Sequence, residues 1–498
     1  MSSGRRLGVV ASGCREVSET AAEILRAGGN AFDAAVGAGF ASAVAEPHFT
    51  SLGGGGFLLA VTPSSQTLFD FFTETPGRGA QHRQLHFEPV TVQFPKASQV
   101  FHVGLGSVAV PGYLLGMKEV HRSLGRMPLA DVVAPAAALA RRGVPMTPFV
   151  CAMMRLLWPI YSLTASSRAV FTFDGEVPTP GSSLDLTGLA RFLDDIPHGA
   201  VESFYQGELA AQIAEDMASQ GGLLTRDDLA AYRVIPRPPL VEEYRGARVY
   251  LNPPPAGGGV AIARLLRLAS SFSPGDFAYG DGVHLARLAA MMREAEALRS
   301  VPLEEKTPHD EAAHRVRTFS RGTTHLTVAD AEGNVATMTT SNGEGSGYVV
   351  PGTCIMLNNM LGEDDLHPAG WHQDPPGERI SSMMCPIVVV DDDGPRLALG
   401  TGGSKRIRTA LFQVLSHVLD LGLPLAEAVR APRVHWDGER VQAEAGYTDE
   451  AYADLAARLP LNRWSTTDMY FGGVHAVEPG GDAVGDPRRE GVGIVVTT

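Results

Sequence analysis

Hydrophobic and polar positions along the first hundred residues switch between a helical period and a strand period. Residues 18–28 (SETAAEILRAG) open on Ser and Glu, set Ala22, Ile24 and Leu25 on one side and close on Gly28-Gly29, which predicts a capped amphipathic helix. An Ala-rich run over about 31–45, broken by Asp33 and ending before Glu46-Pro47, predicts a second. Gly53 to Gly56 then precede an apolar strand, Phe57–Val61. The short run Leu7–Ala11 predicts a first strand. It follows two Arg and precedes Cys14, as in a lipoprotein signal, but it is shorter than the roughly 7–15 apolar residues of an export signal. From about 110 to 300 the pattern is helical, with a cap at Thr225–Asp228 and a turn at Asn252–Gly257. Thr- and Val-rich strands follow at 323–329, 334–341, 386–391 and 396–399, then a helix at 405–421. Helix and strand signals mixed in this way predict an α/β layered sandwich, with no repeat and no linker dividing it.

Composition narrows the function classes. Apolar residues make up 44% and charged residues 19%, enough for a large core. A length of 498 residues suits about three domains or one large intertwined domain. The net charge of −14 excludes a general nucleic-acid or anionic-membrane binder, which would be repelled. No window reaches the roughly 18 apolar residues of a membrane span, and the expected location is cytoplasmic. The four cysteines, Cys14, Cys151, Cys354 and Cys385, form no CxxC pair, and no HExxH is present, so neither a disulfide scaffold nor a zinc site is expected.

Chemistry concentrates near residue 323. Two strand patterns flank Asp330–Asn334, with Gly333 where a short hairpin loop wants a left-handed residue. If Asp330 faces Asn334, the register sets Thr323 opposite Ser341, hydroxyl beside hydroxyl on one face. Taken alone, that is also how an ordinary cross-strand Thr–Ser pair would look. Other constellations fail: there is no GxSxG elbow, and Gly402-Gly403-Ser404-Lys405 is not a phosphate-binding loop. Asp391–Gly394 reads as a strand-to-strand turn, and Glu363-Asp364-Asp365 either binds an amine or sits in solvent.

Segments from residue 8 to about 440 resemble the γ-glutamyltransferases (γ-glutamyltranspeptidases), members of the N-terminal nucleophile hydrolase superfamily. Gly28–Ala35, Glu46-Pro47-His48 and Gly53–Gly56 match the opening of the family. Val110-Pro111-Gly112, Gly221–Thr225 and Pro253–Pro255 with Gly257–Gly259 match its middle. Thr323-Thr324-His325-Leu326, Asn358-Asn359, Ser381-Ser382 and Gly402-Gly403-Ser404 match its site. The resemblance implies a four-layer αββα sandwich. It implies self-cleavage at Gly322–Thr323 into a large chain, residues 1–322, and a small chain, 323–498, intertwined as a heterodimer. Thr323 would be the nucleophile, with its freed α-amine as base. Ser341 would orient its hydroxyl, and Gly402 and Gly403 would form the oxyanion hole. Asn342, Glu363, Ser381 and Ser382 would bind substrate. No cofactor or metal is implied. The reaction would be transfer or hydrolysis of a γ-glutamyl or related acyl amide, with water or an amine as acceptor. The alternatives are a relative with another donor and, more remotely, a non-catalytic scaffold.

The departures concern substrate. The family holds the glutamyl α-carboxylate with an Arg in an Asp-Phe-Arg-Glu-like segment. Here the stretch reads Asp70-Phe71-Phe72-Thr73-Glu74, so Phe72 stands in that position. The remaining candidate for a cationic clamp is Arg78, six residues on. The family's α-amine site is half kept, with Met360 at one position and Glu363 at the other. The Asn after the second hydroxyl is either Asn342, with a one-residue deletion, or is replaced by Gly343.

Overall fold

The structure is a computed structural model, and it describes residues 4–80, 84–94, 97–173, 175–276, 278–298, 322–363, 366–367 and 370–498. Asp364 and Asp365 lie outside the described residues. In chain order, the strands of the two main sheets are β1 (Arg6–Ser12), β2 (Gly55–Val61), β3 (Gln66–Phe71), β4 (Ile235–Arg237), β5 (Leu240–Tyr244), β6 (Ala247–Leu251), β7 (Thr323–Asp330), β8 (Val335–Ser341), β9 (Ile387–Asp391), β10 (Gly394–Gly400), β11 (His475–Val477), β12 (Ala483–Val484) and β13 (Val492–Thr497). One sheet has the order β13-β1-β7-β8-β2-β3-β4 and the other β12-β11-β10-β9-β6-β5. The flanking helices are α1 (Arg15–Arg26) and α2 (Ala31–Ala45) over the first sheet, and α3 (Gly257–Ser270) and α4 (Arg406–Leu419) over the second. Strands β7 and β8 pack face to face with β10 across the middle, so the layers run αββα, as the resemblance implies.

Strand alternation divides the core in two. Leu58 and Ala60 of β2 face the α1–α2 side, while Phe57, Leu59 and Val61 face the other sheet. In β7 and β8 the face toward the second sheet is instead polar: Thr323, His325, Thr327, Thr337, Thr339 and Ser341. All are buried. Such a face is tolerable only if its groups satisfy one another. His325 meets Thr339 through Nδ1 at 2.8 Å and Thr327 through Nε2 at 2.7 Å, and Thr327 pairs with Thr337 at 2.9 Å. Burial, chiefly, holds the His325 imidazole neutral, its pKa well below the usual histidine range.

Most expected elements stand within two residues of their predicted ends. The helix expected from Ser18 begins at Arg15 instead, because Ser18 is buried, pairs with Ser12 and donates to the Val492 carbonyl. α2 is buried on every side; its capping box, Asn30 with Asp33, accounts for the Asp that interrupts the apolar run. Asp33 also accepts the Arg126 N–H at 3.1 Å. The Thr225–Asp228 cap is likewise a capping box. The middle section is not wholly helical: β4, β5 and β6 lie inside it. They run three to five residues each, interrupted by Pro and Gly, and carry too little alternation to stand out. Leu7–Ala11 is a strand, as expected. Among the described residues, no helix is long and apolar enough to cross a membrane, and no group of three or more His, Cys, Asp or Glu stands together as a metal site would need.

Candidate active site

The hairpin register is the one the numbering predicts, with Thr323 opposite Ser341 and Gly333 left-handed at φ 85°. Thr323 Oγ1 donates to Ser341 Oγ at 3.3 Å. Ser341 Oγ in turn donates to the Gly322 carbonyl oxygen and accepts the Gly343 N–H at 3.0 Å. A chain of two hydroxyls therefore ends on the carbonyl of the Gly322–Thr323 bond. Gly322 is held closely: a Cβ there would sit 1.6 Å from the Gly343 carbonyl oxygen. Its N–H donates to Glu344 Oε1 at 3.3 Å.

Gly402 and Gly403 follow the end of β10 and lead into α4. A Cβ on Gly402 would stand 2.2 Å from the Thr323 carbonyl oxygen, so only glycine permits this approach. Among the described residues, neither the Gly402 nor the Gly403 N–H donates to a protein acceptor. The Thr323 carbonyl is held from another side by Arg489 Nη1, which donates to it at 2.7 Å. On the opposite face of β7, Thr324 donates to Glu46 at 3.0 Å. Burial pushes the Glu46 carboxyl up to about 7 against that hydrogen bond. Arg489, Glu344 and Glu46 escape sequence reasoning because their partners lie 22 to 278 residues away; the Glu46-Pro47-His48 match was the only pointer.

Thr323 and Ser341 open into a small pocket lined also by Phe72, Met360, Glu363 and Ser382. The expected substrate residues divide. Glu363 and Ser382 line this pocket. Ser381 is exposed in the adjoining cleft, its hydroxyl donating to the Pro255 carbonyl at 2.8 Å. Asn342 is buried next to Ser341 but does not line the pocket; its backbone carbonyl accepts the Gly345 N–H, and its side-chain Oδ1 has no hydrogen-bond partner among the described residues.

Phe72 is fully packed, stacked on Phe57 with ring centres 5.5 Å apart. Arg78 does not take the place of the family's cation. It is paired with Asp228 at 3.4 Å and Glu74 at 3.7 Å and lies outside the pocket lining. Glu363 is thus the one ionisable side chain among the described lining residues.

The sequence profile described as gamma-glutamyltranspeptidase matches residues 17–496. The chain is 30% identical over 497 residues to a glutathione hydrolase proenzyme of Escherichia coli, covering 91% of this chain and 85% of that one. It is 32% identical to an acylase ACY 1 proenzyme of Pseudomonas sp. strain V22, covering 91% and 86%. Among solved structures it is similar to a cephalosporin acylase from Bacillus halodurans, with a TM-score of 0.84, 26% identity and coverage of 99% and 96%. On the profile match, the relatives and the shared fold together, the chain belongs to the γ-glutamyltranspeptidase family.

Proposed function

We propose that the protein is a self-processing acyl-transfer and amide-hydrolysing enzyme that works through an acyl-Thr323 intermediate. The observation that carries this reading is the hydroxyl chain from Thr323 through Ser341 to the Gly322 carbonyl. In maturation the Thr323 hydroxyl attacks that carbonyl. A C–O bond forms, the Gly322–Thr323 C–N bond breaks, and the departing nitrogen takes a proton. Water then hydrolyses the ester, leaving a Gly322 carboxylate and a Thr323 with free hydroxyl and amine. A peptide α-amine ordinarily titrates near ~7.7–8.0, which suits a general base near neutral pH. In turnover the same hydroxyl attacks the donor amide. The Gly402 and Gly403 N–H groups receive the oxyanion, and water or an amine releases the acyl group. The two chains stay interleaved because β7, from the small chain, lies between β1 and, through β8, β2 of the large chain.

Intact mass and N-terminal sequencing test the reading, with Ser341→Ala as the diagnostic variant. A hydrogen bond to a reacting group contributes about 1.5–3 kcal/mol. Both maturation and turnover should therefore slow by roughly ten- to a hundredfold. Wild-type rates in Ser341→Ala would refute the assigned role.

Phe72 favours a second reading of the donor. An Arg–carboxylate fork is strong and bidentate, and a phenyl ring supplies no charge to replace it. The donor is then a γ-glutamyl-like amide whose acyl group near Thr323 is less polar, as for an acylase. We expect weak turnover of γ-glutamyl anilide relative to a neutral acyl anilide. Phe72→Arg should raise that ratio of kcat/KM by roughly ten- to a hundredfold, the worth of ~1.5–3 kcal/mol. A wild type already efficient on γ-glutamyl anilide, with the ratio unmoved in Phe72→Arg, would show that Ser382 and backbone hold the carboxylate alone.

A further inference from the structure

A second cleft continues from the pocket over Thr323, sharing Leu366, Ser382 and Met383 with it. Its floor is α3, where Gly257, Val260 and Arg264 recur at helical spacing on one face. Arg264 is 7% exposed. Among the described residues it has no carboxylate partner and no hydrogen bond. Its neighbours cannot neutralise it. Arg267, one turn on, is paired with Glu242 at 2.9 Å, and Arg408, across the cleft, is paired with Glu296. Burial, and then the charge of Arg267, lowers the Arg264 pKa.

The Arg264 side chain is largely covered, but its guanidinium nitrogens stay open to the cleft, so the cation stands on the cleft wall with no counter-ion among the described residues. A ligand that brings the missing negative charge recovers the lost interaction, and arginine's planar fork suits a carboxylate in particular. The geometry points to Arg264 as an anion subsite that takes a carboxylate carried by the amide substrate, at the far end of a chain whose near end lies among Phe72, Met360 and Met383. This rests on the reading of Thr323 as nucleophile only for what the bound molecule then undergoes; the binding itself does not depend on it. The subsite also explains how a pocket without the family's clamp can still select an ionic substrate: the charge is read further from the scissile bond.

Two measurements test the proposal. The first is calorimetric binding to the purified protein, with succinate, glutarate, adipate and suberate as acyl-side probes and 3- and 4-aminobenzoate as leaving-group probes. Each is matched by its neutral amide. At least one carboxylate should bind ten- to a hundredfold more tightly than its amide, and Arg264→Gln should erase that difference while Arg264→Lys keeps part of it. The probe class that responds says which end of the substrate carries the charge. The second is the ratio of kcat/KM for ω-carboxyacyl anilides over their uncharged acyl counterparts, which should fall by the same factor in Arg264→Gln. No preference for any carboxylate, or a preference that persists in Arg264→Gln, overturns the subsite. Arg264-dependent binding in a protein that neither cleaves itself nor turns over donors would leave the subsite standing and remove the nucleophile reading instead.

Discussion

Thr323→Ala will purify as a single chain of 498 residues, whereas the wild type will run as two, of 322 and 176, the smaller beginning at Thr323. Alanine removes the hydroxyl that attacks the Gly322 carbonyl and, with it, the free α-amine that cleavage would create. Both steps of the mechanism lose their reacting group at once. Turnover should fall by on the order of 10⁶, the cost of deleting a nucleophile from comparable acyl-transfer machinery. The fold should survive, because Thr323 contributes one hydroxyl to an edge of the polar stripe and its backbone pairing with Ser341 is unchanged. Thr323→Ser, which keeps the hydroxyl and drops a methyl, should still cleave. Denaturing gels and intact mass decide the matter. An active wild type that stays in one piece would rule out the N-terminal nucleophile mechanism.

Asp486→Ala should cost about 3–5 kcal/mol of stability, the range for removing one partner from a buried ion pair. Asp486 is wholly buried between two guanidiniums, Arg433 at 2.6 Å and Arg488 at 3.1 Å, and also accepts the Val474 N–H at 2.9 Å. Glu444, bonded to Arg488 at 2.6 and 2.8 Å, is the second carboxylate of the network. Without Asp486, the Arg433 guanidinium keeps hydrogen bonds only to carbonyls among the described residues, Phe471 at 3.0 Å and Val429 at 2.8 Å. The damage should reach the active site. The Gly473 N–H donates to Thr401, next to Gly402, and Arg489, three residues after Asp486, holds the Thr323 carbonyl. Burial alone would raise the Asp486 pKa, but the two guanidiniums hold it below the usual carboxylate range. The stability it contributes is therefore present at neutral pH and lost as pH falls through its lowered folded value. Asp486→Asn, which keeps the shape and loses the charge, should fall between wild type and Asp486→Ala in denaturant midpoint. Equal midpoints for all three would show that the network contributes nothing to folding.

Much of this was legible beforehand for a definite reason. Strand pairing is arithmetic: once Gly333 marks the loop, the residue opposite Thr323 follows from numbering alone, and it is Ser341. Capping is local too, so Asn30 with Asp33 and Thr225 with Asp228 could be read within four residues. Gly322, Gly402 and Gly403 were identified by family resemblance, and their close contacts give the physical reason for glycine at the first two. What numbering alone does not carry is side-chain direction and distant partners. Asn342 and Ser381 are adjacent in sequence to residues of the pocket, yet neither lines it: successive side chains on an extended backbone point to opposite sides, and Ser381 lines the adjoining cleft instead. Arg78 is close to Phe72 along the chain but is claimed by Asp228, 150 residues away.

The sequence by itself determined the family, the layered architecture, the strand that begins at Thr323 and its register, because each is set by local periodicity, turn chemistry or a motif of adjacent residues. Only the tertiary structure decided that the pocket over Thr323 holds no cation among its described residues. It alone set Arg489 against the Thr323 carbonyl, satisfied His325 among three threonines, and left Arg264 on the wall of a connected cleft with no partner among the described residues. Those outcomes depend on which segments, hundreds of residues apart, arrive at the seam between the two sheets. A charge's effect there is set by its neighbours in space, through burial and pairing, and the order of residues along the chain carries no record of those neighbours.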